Sequence, residues 1–481
     1  MRLVKLIETV PGARLIGGDC DISRIDTDSR QAGPGSLFIC IRGVKVDRHD
    51  FAGQVAQAGA AALVVEQYLE NISLPQVLVE DARAAWSYLS AAWFGFPQQK
   101  LRLIGVTGTK GKTTTTSLVK SVLEAQGHKC GLIGTVANKI GDTTLPQHFT
   151  TPDPYELYEL LDRMVKAQCE YCIMEVSAHA LYLRKLKGLR FAVGAFTNLS
   201  QDHLDDFKTM ENYAAAKALL FQAEMIDCAV MNADDPASGQ MLSDWHGPTV
   251  TYSARGAGQS QAVNAQVTLS GIRYDWMAGG SRTPVELKLG GAFNVDNSLA
   301  AATICLQLGL SMQAIAAALG EVEGSDGRLE RVQGPMEYTV IVDYAHSPAS
   351  LENVLQAVRP ATRGRLICVF GCGGNRDPIK RPIMGRIGSE LADYCILTTD
   401  NPRYEDPDKI IDEIESGARQ AGGAYERITD RAQAICRALD MAQRDDTVLI
   451  CGKGHETYQE IGGVRHDFDD RLVVRKHLGL A

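Results

Sequence analysis

The segment that most constrains this chain is TGTKGKTT at residues 107–114. It follows the strand-like run LRLIGV and leads directly into the helical pattern SLVKSVLEAQGH. A glycine-rich turn between a buried strand and a helix is where a phosphate loop sits. Its backbone N–H groups curl around phosphate oxygens, and the helix N-terminus adds positive potential. Lys112 then reaches the terminal phosphates, and Thr113 offers a hydroxyl to Mg²⁺. Gly108, Thr109, Lys110, Gly111 and Thr114 complete the nucleotide cradle. The general GxxxxGK[ST] spelling is not met, because Val106 stands five positions before Gly111. The context of strand, loop and helix carries the assignment.

Such a loop needs a parallel sheet around it, and the flanking sequence supplies one. Apolar runs of four to seven residues (GLIGT, YCIMEVS, VGAFTN, CAVMN) alternate with helical patterns such as PYELYELLDRMVKAQ, whose apolar residues recur three and four apart. Alternation of this kind predicts a mostly parallel sheet covered by helices. The runs SLFICI, AALVVE and QVLVE lie upstream, closed by a predicted helix with Asp81 as N-cap and Pro97 as stop. A glycine-rich, charged stretch at residues 321–334 marks a second boundary, beyond which YTVIVDYA, RLICVFG, YCILTTD and TVLICG restart the pattern. At ~150 residues per domain, the 481 residues predict about three domains. The expected fold is α/β throughout: residues 1–98, a central P-loop domain at 99–330 and a Rossmann-like domain at 331–481.

Composition removes several function classes. A net charge of −9 and 6% aromatic content argue against a nucleic-acid partner. No run approaches ~18 apolar residues, so no membrane span is expected, and the N-terminus has no apolar core for a signal peptide. The twelve cysteines are scattered through apolar runs, which reads as buried thiols in a reducing cytoplasm. Cys169 and Cys172 form a CxxC without a second pair at zinc spacing. RLICVF followed by GCGG lacks the third glycine of a dinucleotide fingerprint. No Ser-His-Asp or Cys-His arrangement stands out for nucleophilic catalysis.

Eleven strings occur in one order along the chain: TGTKGKTT, HFTTPD, MEVSAHAL, FTNLSQDHLD, AAAKALLF, NADD, FNVDNSLAA, VDYAHSP, GCGGNRDPIKRPIMG, DNPR and GKGHETYQ. In these strings the chain resembles the Mur ligases over essentially its whole length. The resemblance implies an ATP-dependent amide ligase of peptidoglycan precursor synthesis, cytoplasmic and monomeric. The γ-carboxylate of D-glutamate in a UDP-N-acetylmuramoyl dipeptide attacks ATP, and an amine displaces the acyl phosphate. The C-terminal strings point to the member that adds meso-diaminopimelate. The L-lysine-adding ligase is the near alternative, and a P-loop small-molecule kinase is the alternative from another class. The first domain then holds the UDP, the second ATP and Mg²⁺, and the third the amino acid and closes on the nucleotide.

The resemblance also implies residue roles. Glu175 and His203 are metal-side residues, and Lys217 is carbamylated by CO₂ to hold a second Mg²⁺, although composition alone reads it as a solvated lysine. With Lys112, these form the catalytic set. Asn294 and Asn297 open a helix on the adenine side, where Asn297 equally reads as an N-cap. Arg328 and Asp343 reach the ribose and phosphates. Ser29 meets uracil, and Thr150, Thr151, Ser177 and Lys185 contact the rest of the UDP-muramoyl unit. Arg403 offers a guanidinium fork to the distal carboxylate of diaminopimelate, which lysine lacks. Asp400, Asn401, Pro402, Arg376, Gly452 and Glu456 complete that pocket, with Glu456 meeting the distal ammonium. Three departures stand out. Arg48 replaces a common glycine and either reaches the diphosphate or is solvated, Lys185 or Arg184 replaces an arginine, and Gly-Ser-Asp-Gly at 324–327 replaces Val-Pro-Gly in the linker.

Overall fold

Buried strands and amphipathic helices alternate through most of the chain, as their periodicities require. The computed structural model describes residues 1–480 except 44–45, 203, 269–270 and 323–326, and the side chain of Asp205 also lies outside the description. The chain divides into two compact units, Met1–Tyr252 with Thr303–Gly309, and Ser253–Ala302 with Leu310–Ala481.

The first unit holds two sheets. Strands Arg24–Asp26, Ser36–Ile39, Ala62–Val65 and Gln76–Leu78 are parallel neighbours, and Arg14–Ile16 joins Gln76–Leu78 antiparallel. Their alternate side chains feed apolar clusters on both faces. Helix Ala82–Trp93 closes this part, and its Asp81 carboxylate accepts from Arg83 N at 2.8 Å and Ala84 N at 2.9 Å, the predicted cap. In the second sheet the parallel order is Thr249–Ser253, Ala229–Asn232, Phe191–Phe196, Arg102–Thr107, Tyr171–Glu175 and Cys130–Ile133. Two short antiparallel strands, Asn138–Ile140 and Thr143–Leu145, extend it beyond Cys130–Ile133.

The second unit contains a feature that the alternation did not predict. Strands Ser260–Val267, Ile272–Ala278 and Ser281–Leu287 form an antiparallel meander. Their alternation is plain in Ser281–Leu287, where exposed residues flank buried Thr283, Val285 and Leu287. The C-terminal sheet runs Glu330–Arg331, Thr339–Asp343, Thr447–Cys451, Leu366–Phe370, Tyr394–Leu397 and Tyr425–Arg427, parallel except for its first strand. Helices cover both of its faces, so its strands are apolar on both sides. Helices Lys380–Leu391 and Pro407–Ala421 cross where Gly385 and Gly417 stand, and a Cβ at either would run into the other helix's backbone. Among the described residues no helix is long and apolar enough to cross a membrane.

One ion pair pins the carboxyl ends of this sheet. Arg431 and Asp470 are both fully buried and joined by two hydrogen bonds, Nε to Oδ1 at 2.8 Å and Nη2 to Oδ2 at 2.7 Å. Arg431 also donates to Cys451 O at 3.0 Å and Thr399 O at 3.4 Å, tying the last helix to two strand ends. Removing one partner leaves an uncompensated buried charge. Arg431→Met is therefore expected to lower stability by about 3–5 kcal/mol. Arg431→Met/Asp470→Asn should recover most of that loss, and equal denaturation midpoints for the two variants would refute the argument.

Candidate active site

The phosphate loop is shaped before any ligand reaches it. Gly111 (φ +84°) turns the chain into helix Lys112–Ala125, and Gly108 sits at φ +145°. A Cβ on Gly108 would strike the Thr197 hydroxyl and lie 3.1 Å from Asn198 N. The segment after the neighbouring strand Phe191–Phe196 clamps the loop. Thr109 N donates to Asn198 O at 2.8 Å and Lys110 N to Asn198 Oδ1 at 2.9 Å. Lys110 O accepts from Thr197 Oγ1 at 2.6 Å and Asn198 Nδ2 at 3.0 Å. Thr197 and Asn198 hold the loop in shape, a role that sequence reasoning passed over, although FTNLSQDHLD contains both. Lys112 folds back over the loop, donating to Gly108 O at 2.8 Å and Thr109 O at 3.0 Å, and Lys110 pairs with Asp202 at 3.3 Å. Thr113 and Thr114 lie buried in the first helical turn.

Lys217 is brought to the same loop and is not a solvated lysine. Helix Met210–Ala218, capped by the Thr209 hydroxyl, carries it inward until it is 1% exposed. Its Nζ donates to Gly108 O at 2.9 Å, the oxygen that Lys112 also uses, and sits 4.3 Å from the centre of the Tyr213 ring. Burial pushes the Lys217 ammonium well below the usual lysine range. The charges of Lys112 and Lys110 push the same way, and Asp202 opposes them.

Glu175 ends its strand in register with Val106, next to the loop, and is 1% exposed. Its carboxylate accepts from Thr135 N at 2.9 Å and Thr135 Oγ1 at 2.9 Å, and the Thr135 hydroxyl lies 3.1 Å from that of Thr150. Thr151 donates to Glu175 O at 2.8 Å and accepts from Ser177 N at 3.1 Å, so Thr150, Thr151, Ser177 and Glu175 form one linked set. Ser177 caps helix Ala178–Tyr182. His203 lies outside the described residues. Among those described, no three His, Cys, Asp or Glu side chains gather as a metal site. The oxygen donors among the described residues here include Glu175 and Thr113, hard ligands of the kind Mg²⁺ prefers, and Lys217 lies beside the same loop.

Elsewhere in the first unit the structure separates the two candidate cations. Arg184, at φ +56°, pairs with Asp81 at 2.6 Å. Lys185 pairs with Asp153 at 2.6 Å and lies 5.0 Å from the centre of Phe149, beside Thr150 and Thr151. Lys185 is thus the cation at the HFTTPD segment. Ser29 sits half-buried in the turn after Arg24–Asp26. Arg48 is half-buried at the start of the 3₁₀ turn Arg48–Phe51. Burial and the Arg83 charge pull its pKa down, and Asp153 and Asp28 oppose that shift.

The remaining candidates lie in the second unit. Asn294 and Asn297 are buried inside helix Phe293–Gln307, so Asn297 is not an N-cap. It donates to Asn294 Oδ1 at 2.8 Å, and Asn294 donates to Gly290 O at 2.8 Å. Of the departing linker, residues 324–326 lie outside the described residues. From Gly327 the chain is latched down: Gly327 N donates to Glu330 Oε2 at 2.7 Å, and Tyr344 N donates to Gly327 O at 2.9 Å. Asp343 accepts from Leu329 N at 2.8 Å and Ala345 N at 2.9 Å. Burial raises its pKa against those donors and the Arg328 charge. Arg328 stacks on Tyr344 at 4.9 Å, and its buried Nε has no hydrogen-bond partner among the described residues.

Asp400, Asn401 and Pro402 are buried just past strand Tyr394–Leu397, and Arg403 follows at φ +52°. Arg403 donates to Gly374 O at 2.8 Å and lies 3.6 Å from Glu460. Arg376 is exposed on the facing loop, where a Cβ on Gly373 would lie near both Arg376 and Arg403. Gly452 abuts Asp400, and Glu456 accepts from Asn401 Nδ2 at 2.9 Å and Lys453 Nζ at 2.8 Å. Lys453 and Glu460 are two further members that sequence reasoning missed.

A phosphate loop on a parallel sheet, with a second parallel sheet ending in a cluster of cations and acids, defines a nucleotide-dependent α/β enzyme class. The Mur ligase family catalytic domain matches residues 21–89, the Mur ligase middle domain residues 106–305, and the Mur ligase glutamate ligase domain residues 327–454. Over 99% of each chain, the protein is 45% identical to the UDP-N-acetylmuramoyl-L-alanyl-D-glutamate--2,6-diaminopimelate ligase of Geobacillus kaustophilus. A solved structure bearing the same name matches at TM-score 0.70 and 33% identity over 95% of both chains. A MurF ligase from Thermotoga maritima in complex with ADP matches at TM-score 0.60 and 18% identity, over 95% of this chain and 96% of that one, a likeness of fold alone. The chain belongs to the Mur ligase family and, with it, to the ATP-dependent ligases.

The Gly108 geometry makes a direct prediction. Gly108→Ala is expected to lower affinity for a non-hydrolysable ATP analogue by at least about tenfold in titration calorimetry, because the new Cβ displaces the clamp at Thr197. Unchanged affinity would show that the clamp does not shape the loop.

Proposed function

We propose that the chain joins the γ-carboxylate of D-glutamate in UDP-N-acetylmuramoyl-L-alanyl-D-glutamate to meso-diaminopimelate at the expense of ATP, as a cytoplasmic monomer. The observation that carries this reading is the 45% identity to a diaminopimelate ligase along 99% of both chains. In this reading residues 1–98 serve the UDP moiety, residues 99–330 the nucleotide and residues 331–481 the amino acid.

The carboxylate attacks the γ-phosphorus of ATP, and the amine then displaces phosphate from the acyl phosphate. Phosphoryl transfer asks for positioning and charge neutralisation more than for a covalent protein nucleophile. The loop N–H groups, Lys110 and Lys112 meet the phosphates. Asn294, Asn297, Arg328 and Asp343 serve the adenosine, and Ser29, Thr150, Thr151, Ser177 and Lys185 serve the UDP-muramoyl unit. Thr113, Glu175, His203 and carbamylated Lys217 are the residues that would hold Mg²⁺, which when bound neutralises phosphoryl oxygens.

The surroundings of Lys217 support its carbamylation. A neutral amine adds to the carbon of CO₂ and releases a proton, leaving a carbamate anion. The change replaces a buried cation that faces Lys112 and Lys110 with a buried anion that those cations attract. Lys217→Ala is expected to lose at least about 100-fold in kcat, with partial recovery on adding a short-chain carboxylate. Full activity without rescue would remove the role. Because protonation of the amine blocks addition of CO₂, activity should also fall at acid pH and rise with added bicarbonate. An acid limb insensitive to bicarbonate would count against the carbamate.

Arg403 supports the choice of diaminopimelate, since its fork matches a carboxylate that lysine does not carry. Phosphate release with the UDP-dipeptide should require an amine and favour meso-diaminopimelate over L-lysine by at least about 100-fold. Turnover with lysine alone would identify the lysine-adding activity, and phosphorylated product without any amine would identify a kinase.

A further inference from the structure

Lys453 is a fully buried cation in the middle of the amino-acid loops. It follows Gly452 at the end of strand Thr447–Cys451 and is 0% exposed. Its Nζ donates to Glu456 Oε2 at 2.8 Å and Asn401 Oδ1 at 3.1 Å, and lies 5.3 Å from the centre of the Tyr458 ring. Asn401 Nδ2 donates to the same Glu456 Oε2 at 2.9 Å, while Asn401 Oδ1 also accepts from Glu460 N at 2.9 Å. One ammonium therefore joins the loop after Tyr394–Leu397, the loop after Thr447–Cys451 and the first strand of hairpin Tyr458–Ile461 with Val464–Asp467.

The contacts on Glu456 are lopsided. Both donors meet Oε2, and Oε1 receives no hydrogen bond from any described residue. A carboxylate held through one oxygen has its rotamer fixed and its other oxygen left to accept. Taking a lysine out of water is unfavourable unless its charge is met, so this lysine is stable here only in partnership with Glu456 and Asn401.

We propose that Lys453 is the positioning residue of the amine-acceptor pocket, holding Glu456 through Oε2 so that Oε1 alone receives an ammonium of the incoming diamino acid. The inference rests on the assignment of the Arg403 and Glu456 loops to the amino acid. Lys453 does not touch the substrate. It acts through Glu456, and its loss should therefore be felt by one of the three substrates and not by the others.

The test is a double-mutant cycle in steady-state kinetics on the full chain, with Lys453→Met, Glu456→Gln and the double variant measured beside the wild type. Lys453→Met should raise KM for meso-diaminopimelate by about tenfold or more, with KM for ATP and for the UDP-dipeptide moving by less than about twofold. In the Glu456→Gln background, removing Lys453 should add nothing further, because the group it positions has already lost its charge. If Lys453→Met alone does not fold, Lys453→Gln, a neutral side chain that keeps an amide donor in place of the ammonium, is measured in the same three KM assays. A diaminopimelate KM raised alone then supports the proposal, and an unmoved one overturns it. Multiplicative KM effects, an unmoved diaminopimelate KM, or parallel rises in all three KM values would overturn the proposal. Wild-type enzyme that fails to turn over any diamino acid would instead overturn the underlying substrate assignment and the proposal with it.

Discussion

Parallel strands all end the same way, and that constraint governs where this chain can do chemistry. In a sheet buried on both faces, the first strand residue past the ladder is the first place a polar side chain can leave the apolar layers. Thr107, Glu175 and Phe196 end three adjacent strands of the first unit, and the phosphate loop, the Thr151–Ser177 linkage and the Thr197–Asn198 clamp follow at once. In the C-terminal sheet, Asp343, Leu397 and Cys451 are the corresponding ends, leading to the Asp343 carboxylate, the Asp400–Arg403 turn and the Gly452–Glu456 loop. The sheets fix the origin of each loop, and hydrogen bonds between loops fix its path.

Those hydrogen bonds involve several buried charges, and their different partners separate their roles. Arg431 faces a carboxylate and two carbonyls, an arrangement that holds strand ends together and offers nothing to a ligand. Lys453 also faces a carboxylate, but one that keeps an oxygen spare. Lys217 has a carbonyl and an aromatic face nearby, with two further lysines pressing on it. The first charge is fully balanced, the second is balanced with a remainder, and the third is disfavoured as a cation. That gradation follows from partner chemistry, since all three side chains are almost completely buried.

What the sequence made legible was local. The glycine-rich loop, the Asp81 cap and most of the parallel strands could be named because each is a short pattern with its own periodicity or spacing. Strands Arg24–Asp26, Thr249–Ser253 and Tyr425–Arg427 were not named. The meander at residues 260–287 escaped because its strands alternate exposed and buried residues, unlike the continuous apolar runs of the buried parallel strands around it. The burial of Lys217 escaped because AAAKALLF offers almost no amphipathic contrast, and alanines permit close approach on any side. Arg184 and Lys185 could not be ranked, since the left-handed turn at Arg184 that points them to different acids is a tertiary matter. Asn297 read as a cap because asparagine favours caps, yet its partner Asn294 lies one turn back within the same helix, where the pair satisfies itself.

The three departures from the family spelling differ in what the fold does with them. At Lys185 the shorter contact of a point charge replaces an arginine fork, and Asp153 and Phe149 confine its ammonium from two sides. At residues 324–327 a stiff dipeptide is gone, but the hydrogen bonds of Gly327 to Glu330 and Tyr344 begin the C-terminal sheet without it. At Arg48 a guanidinium stands half-buried where a glycine would have left space, with Arg83 pressing on it and Asp153 and Asp28 drawing it. Asp153 also pairs with Lys185, and Asp28 pairs with Arg30. Half-burial and the charges of Arg83, Asp153 and Asp28 hold Arg48 among other ionic groups, so the guanidinium is not a freely solvated loop side chain.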